Sequence, residues 1–160
     1  MVQNYNLGGI VMNKRYTLLF DETDKNDLPL VGGKGANLGE MTKAGFTVPY
    51  GFCVTTESYK EFIEKNNLWE FISKIVKDAS LDNISRIGEA IRKRIIQSEI
   101  PNKVEQEIVR AVNKVGVGAY YAVRSSATAE DLPFASFAGQ QDTYLNIRGE
   151  KSLLSSVKDC

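Results

Sequence analysis

The alternation of apolar and polar positions predicts two strongly amphipathic helices near the middle of the chain. The first is expected to begin at Asp82 or Asn83, and isoleucine recurs along it every three or four residues. The second is expected to begin near Pro101, which a first helical turn tolerates, and to end at Gly116. The two apolar stripes comprise Ile84, Ile87, Ile91 and Ile95 in the first helix and Val104, Ile108, Ala111, Val112 and Val115 in the second.

Shorter apolar runs predict further elements on either side of these two helices. Strands are predicted over 16–20, 52–55, 120–124 and 143–147. Helices are predicted over 36–44, from a cap at Thr56, over 68–76 and within 149–160. Tyr59, Phe62 and Ile63 are expected to form the buried stripe of the helix capped by Thr56. The order β-α-β-α-α-α-α-β-β-α indicates an α+β (α/β layered) domain.

A glycine-rich run, Gly32-Gly33-Lys34-Gly35, precedes the first predicted helix. A turn of this kind entering a helix presents backbone N–H groups and the positive end of the helix dipole, which suit a phosphate, and Lys34 would add a cation. The run is neither a P-loop nor a dinucleotide fingerprint, because Lys34 is followed by glycine and the glycine spacing differs from both. The structural alternative is a loop with a solvated lysine and a helix cap.

Arg124 ends an apolar strand and precedes residues 125–140, a stretch of small and hydroxyl side chains. The guanidinium group at this position requires an anion. A connection of this length in a compact domain is usually functional or disordered, and its apolar residues favour function. We interpret it as a flexible loop that covers a phosphate. The structural alternative is that Arg124 pairs with Glu130 or Asp131.

The composition excludes several classes of function. The chain has 160 residues, 20 Lys+Arg, 20 Asp+Glu and no histidine, which rules out Ser-His-Asp and Cys-His catalysis and histidine-containing metal sites within it. Cys53 and Cys160 are too few and too far apart for a zinc cluster, and Cys53 is expected to be buried and inert. The zero net charge argues against nucleic-acid binding. No apolar run is long enough to span a membrane.

The chain is expected to comprise a loose N-terminal extension, residues 1–15, and a domain over 16–160 whose last helix is truncated. Two unpaired cysteines and the absence of an export signal indicate a cytoplasmic location. Trp69 and the tyrosines at helical spacing are expected in the core or at an interface.

Three stretches together resemble the N-terminal ATP-binding domain of the phosphoenolpyruvate synthase and pyruvate phosphate dikinase family, to which rifampicin phosphotransferase also belongs. They are Val31–Met41, Val48–Thr56 and Ala122–Asn146. The third stretch is long and ungapped, which makes the resemblance specific. The resemblance as a whole extends from about Tyr16 to Cys160.

This resemblance implies the N-terminal part of an ATP-grasp nucleotide-binding domain. It implies that Lys34 and Arg124 contact the ATP phosphates, and that Gly139, Gln140 and Thr143 lie over them. Family members split ATP to AMP and phosphate through a phosphohistidine on a separate domain, which then phosphorylates pyruvate or rifampicin. The resemblance places the Mg²⁺ ligands, the carrier histidine and the acceptor-substrate domain beyond Cys160.

Two hypotheses follow from the sequence. In the first, the chain is the ATP-binding fragment of a dikinase-type phosphotransferase, inactive by itself. In the second, it is a stand-alone, non-catalytic module that binds a nucleotide or a partner.

Overall fold

Two small antiparallel sheets and six α-helices make up the part of the chain that the computed structural model describes, residues 14–128 and 142–160. The strands are β1 (Thr17–Leu19), β2 (Phe52–Val54), β3 (Tyr121–Arg124) and β4 (Thr143–Ile147). The helices are α1 (Leu28–Lys43), α2 (Thr56–Lys65), α3 (Leu68–Val76), α4 (Ile84–Gln97), α5 (Asn102–Val115) and α6 (Glu150–Asp159). Two short 3₁₀ turns, Phe20–Glu22 and Lys25–Asp27, lie between β1 and α1. This order confirms the predicted α+β class.

Each sheet is a pair of strands that are distant in sequence or joined by a long connection. In the first sheet β1 runs antiparallel to β2, and Leu18 lies opposite Cys53. In the second sheet β3 runs antiparallel to β4, and Arg124 lies opposite Thr143. The second pairing fixes the end of β3 beside the start of β4.

The larger apolar cluster lies around α5. Its buried members are Tyr16, which directly precedes β1, Val104 and Ile108 in α5, and Leu153 in α6. Burying a side chain such as Ile108 contributes about 1.5–3 kcal/mol to stability. The predicted stripe of α5 is therefore confirmed as a core face, and it holds β1, β3 and α6 around one helix.

A second, smaller apolar cluster fixes α1 against the first sheet. Leu18, Val31 and Ala36 are buried in it, and Cys53 is partly buried beside them. Burial raises the pKa of the Cys53 thiol to about 11. The thiol is thus protonated at neutral pH, as expected for an inert structural cysteine.

The predicted inner faces of α2 and α4 are partly wrong. Tyr59 is exposed, although Ile63 is buried, and the exposed Trp69 on α3 is outside the core. Polar residues take the inner position on α2, because Ser58 donates a hydrogen bond to the carbonyl oxygen of Tyr16 at 2.6 Å. On α4 the expected isoleucine stripe is only half buried at best, and Ile84 is exposed. No helix in the described ranges is both long and apolar enough to cross a bilayer.

Glu61 is a buried carboxylate on α2 with two hydrogen-bond donors. Lys14 Nζ lies 2.8 Å from Glu61 Oε2, and the Tyr16 hydroxyl donates to the same oxygen at 3.1 Å. The hydrogen bond from Lys14 lowers the pKa of Glu61, against the opposing effect of burial, and that from Tyr16 lowers it further. The charged carboxylate therefore ties α2 to the residues that lead into β1.

We expect the Glu61→Gln variant to be less stable than the parent at neutral pH and to approach it in acid. Because the folded-state pKa lies below the ordinary value of 4.5, the ionised group stabilises the fold above that pH and stops doing so as the pH falls through the folded-state pKa. Urea unfolding at neutral and acid pH measures the difference. The matched control is Glu64→Gln, an exposed carboxylate on the same helix, and a stability difference that is independent of pH would contradict the prediction.

We expect Gly39→Ala to destabilise the fold, because a Cβ at position 39 would overlap the backbone and side chain of Thr23, with the Thr23 carbonyl carbon 2.7 Å away. Overpacking of this kind costs about 1–3 kcal/mol. The control is Gly88→Ala on α4, where the nearest atom is the flexible Arg92 guanidinium at 3.3 Å. That variant should be more stable by about 0.5–1 kcal/mol through helix propensity. Thermal and urea unfolding test both, and equal stabilities would refute the packing argument.

Candidate functional site

The glycine-rich run lies inside α1, not in a turn before it. Pro29 occupies the first turn of the helix, and the chain then leaves helical geometry at Gly32, with φ +69° and ψ 175°, before the helix resumes. The prediction that the helix begins at Ala36 is therefore wrong. Glycine's poor helix propensity is overridden by packing, because a Cβ at Gly35 would lie 2.7 Å from Cys53 Sγ.

The residues after β3 pack directly against this break in α1. The Gly33 N–H donates a hydrogen bond to the carbonyl oxygen of Ala127 at 3.2 Å. The Lys34 N–H donates to Ser126 Oγ at 3.1 Å. The expectation that this helix start presents its N–H groups to a phosphate is therefore wrong for these two groups, since the chain itself supplies their acceptors.

Arg124 and Thr143 are brought together by the pairing of β3 with β4. Arg124 is the last residue of β3, Thr143 is the first of β4, and both are exposed. Arg124 is two residues before Ser126, so its backbone lies within about 7 Å of the junction with α1. The backbone of Lys34, which is partly buried just after the break in α1, is thus attached to the segment that follows Arg124.

Several of the predicted residues lie outside the described ranges. Gly139 and Gln140, expected over the phosphates, are among them. So are Glu130 and Asp131, the alternative partners of Arg124. Within residues 14–128 and 142–160, none of the ion pairs involves Arg124.

The end of α6 completes the surroundings of the junction. Cys160 Sγ donates to the carbonyl oxygen of Asp142 at 3.5 Å. Burial raises the pKa of the Cys160 thiol. Ser125 Oγ is buried and has no hydrogen-bond partner among the described residues.

Sequence reasoning missed Ser126, Ala127 and Cys160 as parts of this arrangement. The small side chains after Arg124 did indicate a close backbone approach. They did not indicate α1 as the other surface, because residues 34 and 126 are 92 positions apart and no local spacing relates them.

The residue types at this junction are ones that bind anions in proteins. Lys34 carries a positive charge, Arg124 a planar fork of donors and Thr143 a hydroxyl group, and charge-assisted hydrogen bonds of this kind contribute about 1.5–3 kcal/mol each. The chain has no histidine to activate Ser125 or Ser126 as a nucleophile. The described residues also place no three metal-ligating side chains together.

Comparisons with known proteins identify the family of the domain. A family model described as "Pyruvate phosphate dikinase, AMP/ATP-binding domain" matches residues 28–160. The chain is 46% identical over 149 residues to a rifampicin phosphotransferase of Bacillus cereus, covering 91% of this chain and 17% of the relative. It is 45% identical over 156 residues to a phosphoenolpyruvate synthase of Aeropyrum pernix, covering 92% and 19%.

A phosphoenolpyruvate synthase of Pyrococcus furiosus is 42% identical over 189 residues, covering 93% of this chain and 23% of the relative. The chain thus spans less than a quarter of the length of these relatives. The matched family range includes all of α1, both described parts of the candidate site and α6. The chain therefore belongs to the pyruvate phosphate dikinase AMP/ATP-binding domain family.

Proposed function

We propose that the chain binds the phosphates of ATP as the N-terminal part of an ATP-grasp domain in a larger, dikinase-type phosphotransferase. Family membership supports nucleotide binding. One observation carries the residue-level proposal. Ser126 and Ala127 accept hydrogen bonds from the backbone N–H groups of Lys34 and Gly33. This attachment joins the backbone segments that carry Lys34 and Arg124, two cationic residues that are distant in sequence.

Each residue of the proposed site has a distinct role. The Lys34 ammonium group neutralises phosphate charge, and the Arg124 guanidinium binds two phosphate oxygens at once. Thr143, opposite Arg124 in the sheet, donates its hydroxyl to the same group. Gly139 and Gln140, which lie outside the described ranges, are proposed to cover the phosphates from above.

The activity of the whole protein is proposed from its relatives, which are phosphoenolpyruvate synthases and rifampicin phosphotransferases. ATP would be split to AMP and phosphate through a phosphohistidine on another domain, and pyruvate or rifampicin would accept the phosphoryl group. The described residues do not hold a cluster fit for Mg²⁺, and we assign them no step that involves the metal. A cytoplasmic location is part of the same proposal.

We expect the 160-residue chain alone to convert no ATP to AMP. Phosphoryl transfer depends on positioning and on electrostatic stabilisation of the transferred group, and this chain has no histidine to accept that group. Chromatography of the nucleotides after incubation measures AMP directly. Steady AMP production that scales with the chain's concentration would contradict the proposal that the phosphoryl-accepting histidine lies on another domain.

We expect the chain to bind ATP weakly, and we expect Lys34→Ala and Arg124→Ala each to weaken that binding by about 1.5–3 kcal/mol, the contribution of one charge-assisted contact. Titration with millimolar ATP, followed by the amide signals of Lys34 and Thr143 in NMR spectra, measures the affinity.

The matched controls are Lys74→Ala on α3 and Arg86→Ala on α4. They remove the same charges from exposed positions of the described helices outside the proposed site. Both controls should bind ATP as the parent does. Unchanged ATP affinity in the Lys34 and Arg124 variants would refute the proposed site. Equal losses of affinity in all four variants would refute it too, because they would show only a general effect of removing positive charge.

The downstream coding sequence separates the phosphotransferase from the stand-alone binding module. We expect it to continue past the codon for Cys160 and to encode a carrier histidine on a further domain. A stop codon at that point would favour the module.

A further inference from the structure

The helix segment that begins at Gly33 lacks a local N-cap. The first N–H groups of a helix have no partner within the helix, and a serine, threonine or aspartate just before it usually supplies the acceptor. The residue at that position here is Gly32, which has no side chain and has φ +69°. A glycine is required there for two reasons, since a Cβ would also overlap Ser126, whose carbonyl carbon would lie 2.9 Å away.

Ser126 supplies the missing cap from a distant part of the chain. Its Oγ accepts the Lys34 N–H at 3.1 Å, and the next carbonyl oxygen, that of Ala127, accepts the Gly33 N–H at 3.2 Å. Ser126 itself is exposed, whereas Gly32 and Gly33 beneath it are buried. The hydroxyl is thus held over the break in α1 by close backbone contact and not by burial of its own side chain.

We propose that Ser126 is a positioning residue of the phosphate site, whose hydroxyl caps α1 at Lys34 and so sets the spacing between the Lys34 and Arg124 side chains. The inference rests on the proposed function, since it concerns the same two cations. Ser126 does not contact the nucleotide in this scheme. It acts through the backbone N–H of one ligand-binding residue while it lies two positions after the other.

A local cap and a remote cap have different consequences. A local cap stabilises a helix start but leaves its direction relative to other elements free. The remote cap joins the start of the helix segment to the end of β3, so that neither element moves without breaking the hydrogen bond from Lys34. The distance between the backbone positions that carry the two cations is therefore set before any ligand binds.

The opposite arrangement is also testable. If the Gly33 and Lys34 N–H groups bound a phosphate directly, Ser126 and Ala127 would be competitors that the ligand displaces. Removing the serine hydroxyl would then leave ATP affinity unchanged or improve it. Under the positioning proposal, the same change weakens ATP binding.

The first measurement concerns the cap and does not involve ATP. We expect amide hydrogen exchange at Lys34 to be faster in Ser126→Ala than in the parent chain and to return towards the parent rate in Ser126→Thr, which keeps the hydroxyl. The matched control is Thr56→Ala, which removes a hydroxyl hydrogen bond of 3.1 Å to the Pro29 carbonyl on the other side of the break. It should leave Lys34 exchange unchanged. An unchanged Lys34 exchange rate in Ser126→Ala would overturn the proposal.

The second measurement is ATP affinity by the same NMR titration. We expect Ser126→Ala to bind ATP about 2–10-fold more weakly, the factor that corresponds to one neutral hydrogen bond, with Ser126→Thr and Thr56→Ala close to the parent. Unchanged or tighter binding by Ser126→Ala would overturn the positioning role. The positioning role would also be overturned if Ser126→Thr protected the Lys34 amide from exchange and yet bound ATP as weakly as Ser126→Ala.

The two proposals fail in different ways. If Lys34→Ala and Arg124→Ala leave ATP affinity unchanged, the proposed function is wrong, whatever the Ser126 variants show. If these two variants bind ATP weakly and Ser126→Ala does not, the phosphate site stands and only the positioning role is refuted.

Discussion

The structure depends on close backbone approach along one face of α1. Gly35 and Gly39 are four residues apart, which puts them on the same side of the helix, and Gly32 lies at the break that precedes them. A Cβ at each position would overlap a different neighbour: Ser126 after β3, Cys53 in β2 or Thr23 before α1. Three parts of the chain therefore reach the helix backbone at distances that a side chain would prevent. This face makes α1 the element against which the other parts of the proposed site are placed.

The electrostatic character of the site follows from this geometry. The chain carries equal numbers of acidic and basic residues, so no general positive field attracts an anion over long distances. In the proposed site, two cationic residues are instead brought together by the hydrogen bond from the Lys34 N–H to Ser126, which follows Arg124 by two positions. Backbone contacts of this kind are insensitive to salt, unlike ion pairs at the surface. Within the described ranges, the ion pairs lie elsewhere, as between Lys14 and Glu61.

The order of the elements was predictable because most of them bury a periodic apolar face. The bounds of α3 and β4 agree with prediction, and Ile108 lies in the core as its spacing indicated. Tyr59 was wrongly expected to be buried. The inner side of α2 is instead polar, because the Glu61 carboxylate and the Ser58 hydroxyl form hydrogen bonds with Tyr16, which apolar periodicity cannot show. The start of α1 was missed for a similar reason, since glycine disfavours helix until tertiary packing requires it. Lys34 and Arg124 could be singled out by residue type, but a cap that joins positions 34 and 126 leaves no local pattern.

The chemical nature of that cap also affects the proposed site. An aspartate at position 126 could accept the Lys34 N–H as well as serine does. It would also place a negative charge at the positive end of the helix dipole, where it would compete with a phosphate. A serine hydroxyl satisfies the N–H group and leaves the dipole uncompensated. The start of the helix would therefore keep its positive potential towards an anion in the proposed site, although two of its N–H groups are already occupied. Because the cap is neutral, structural capping is compatible with the anion binding that we propose.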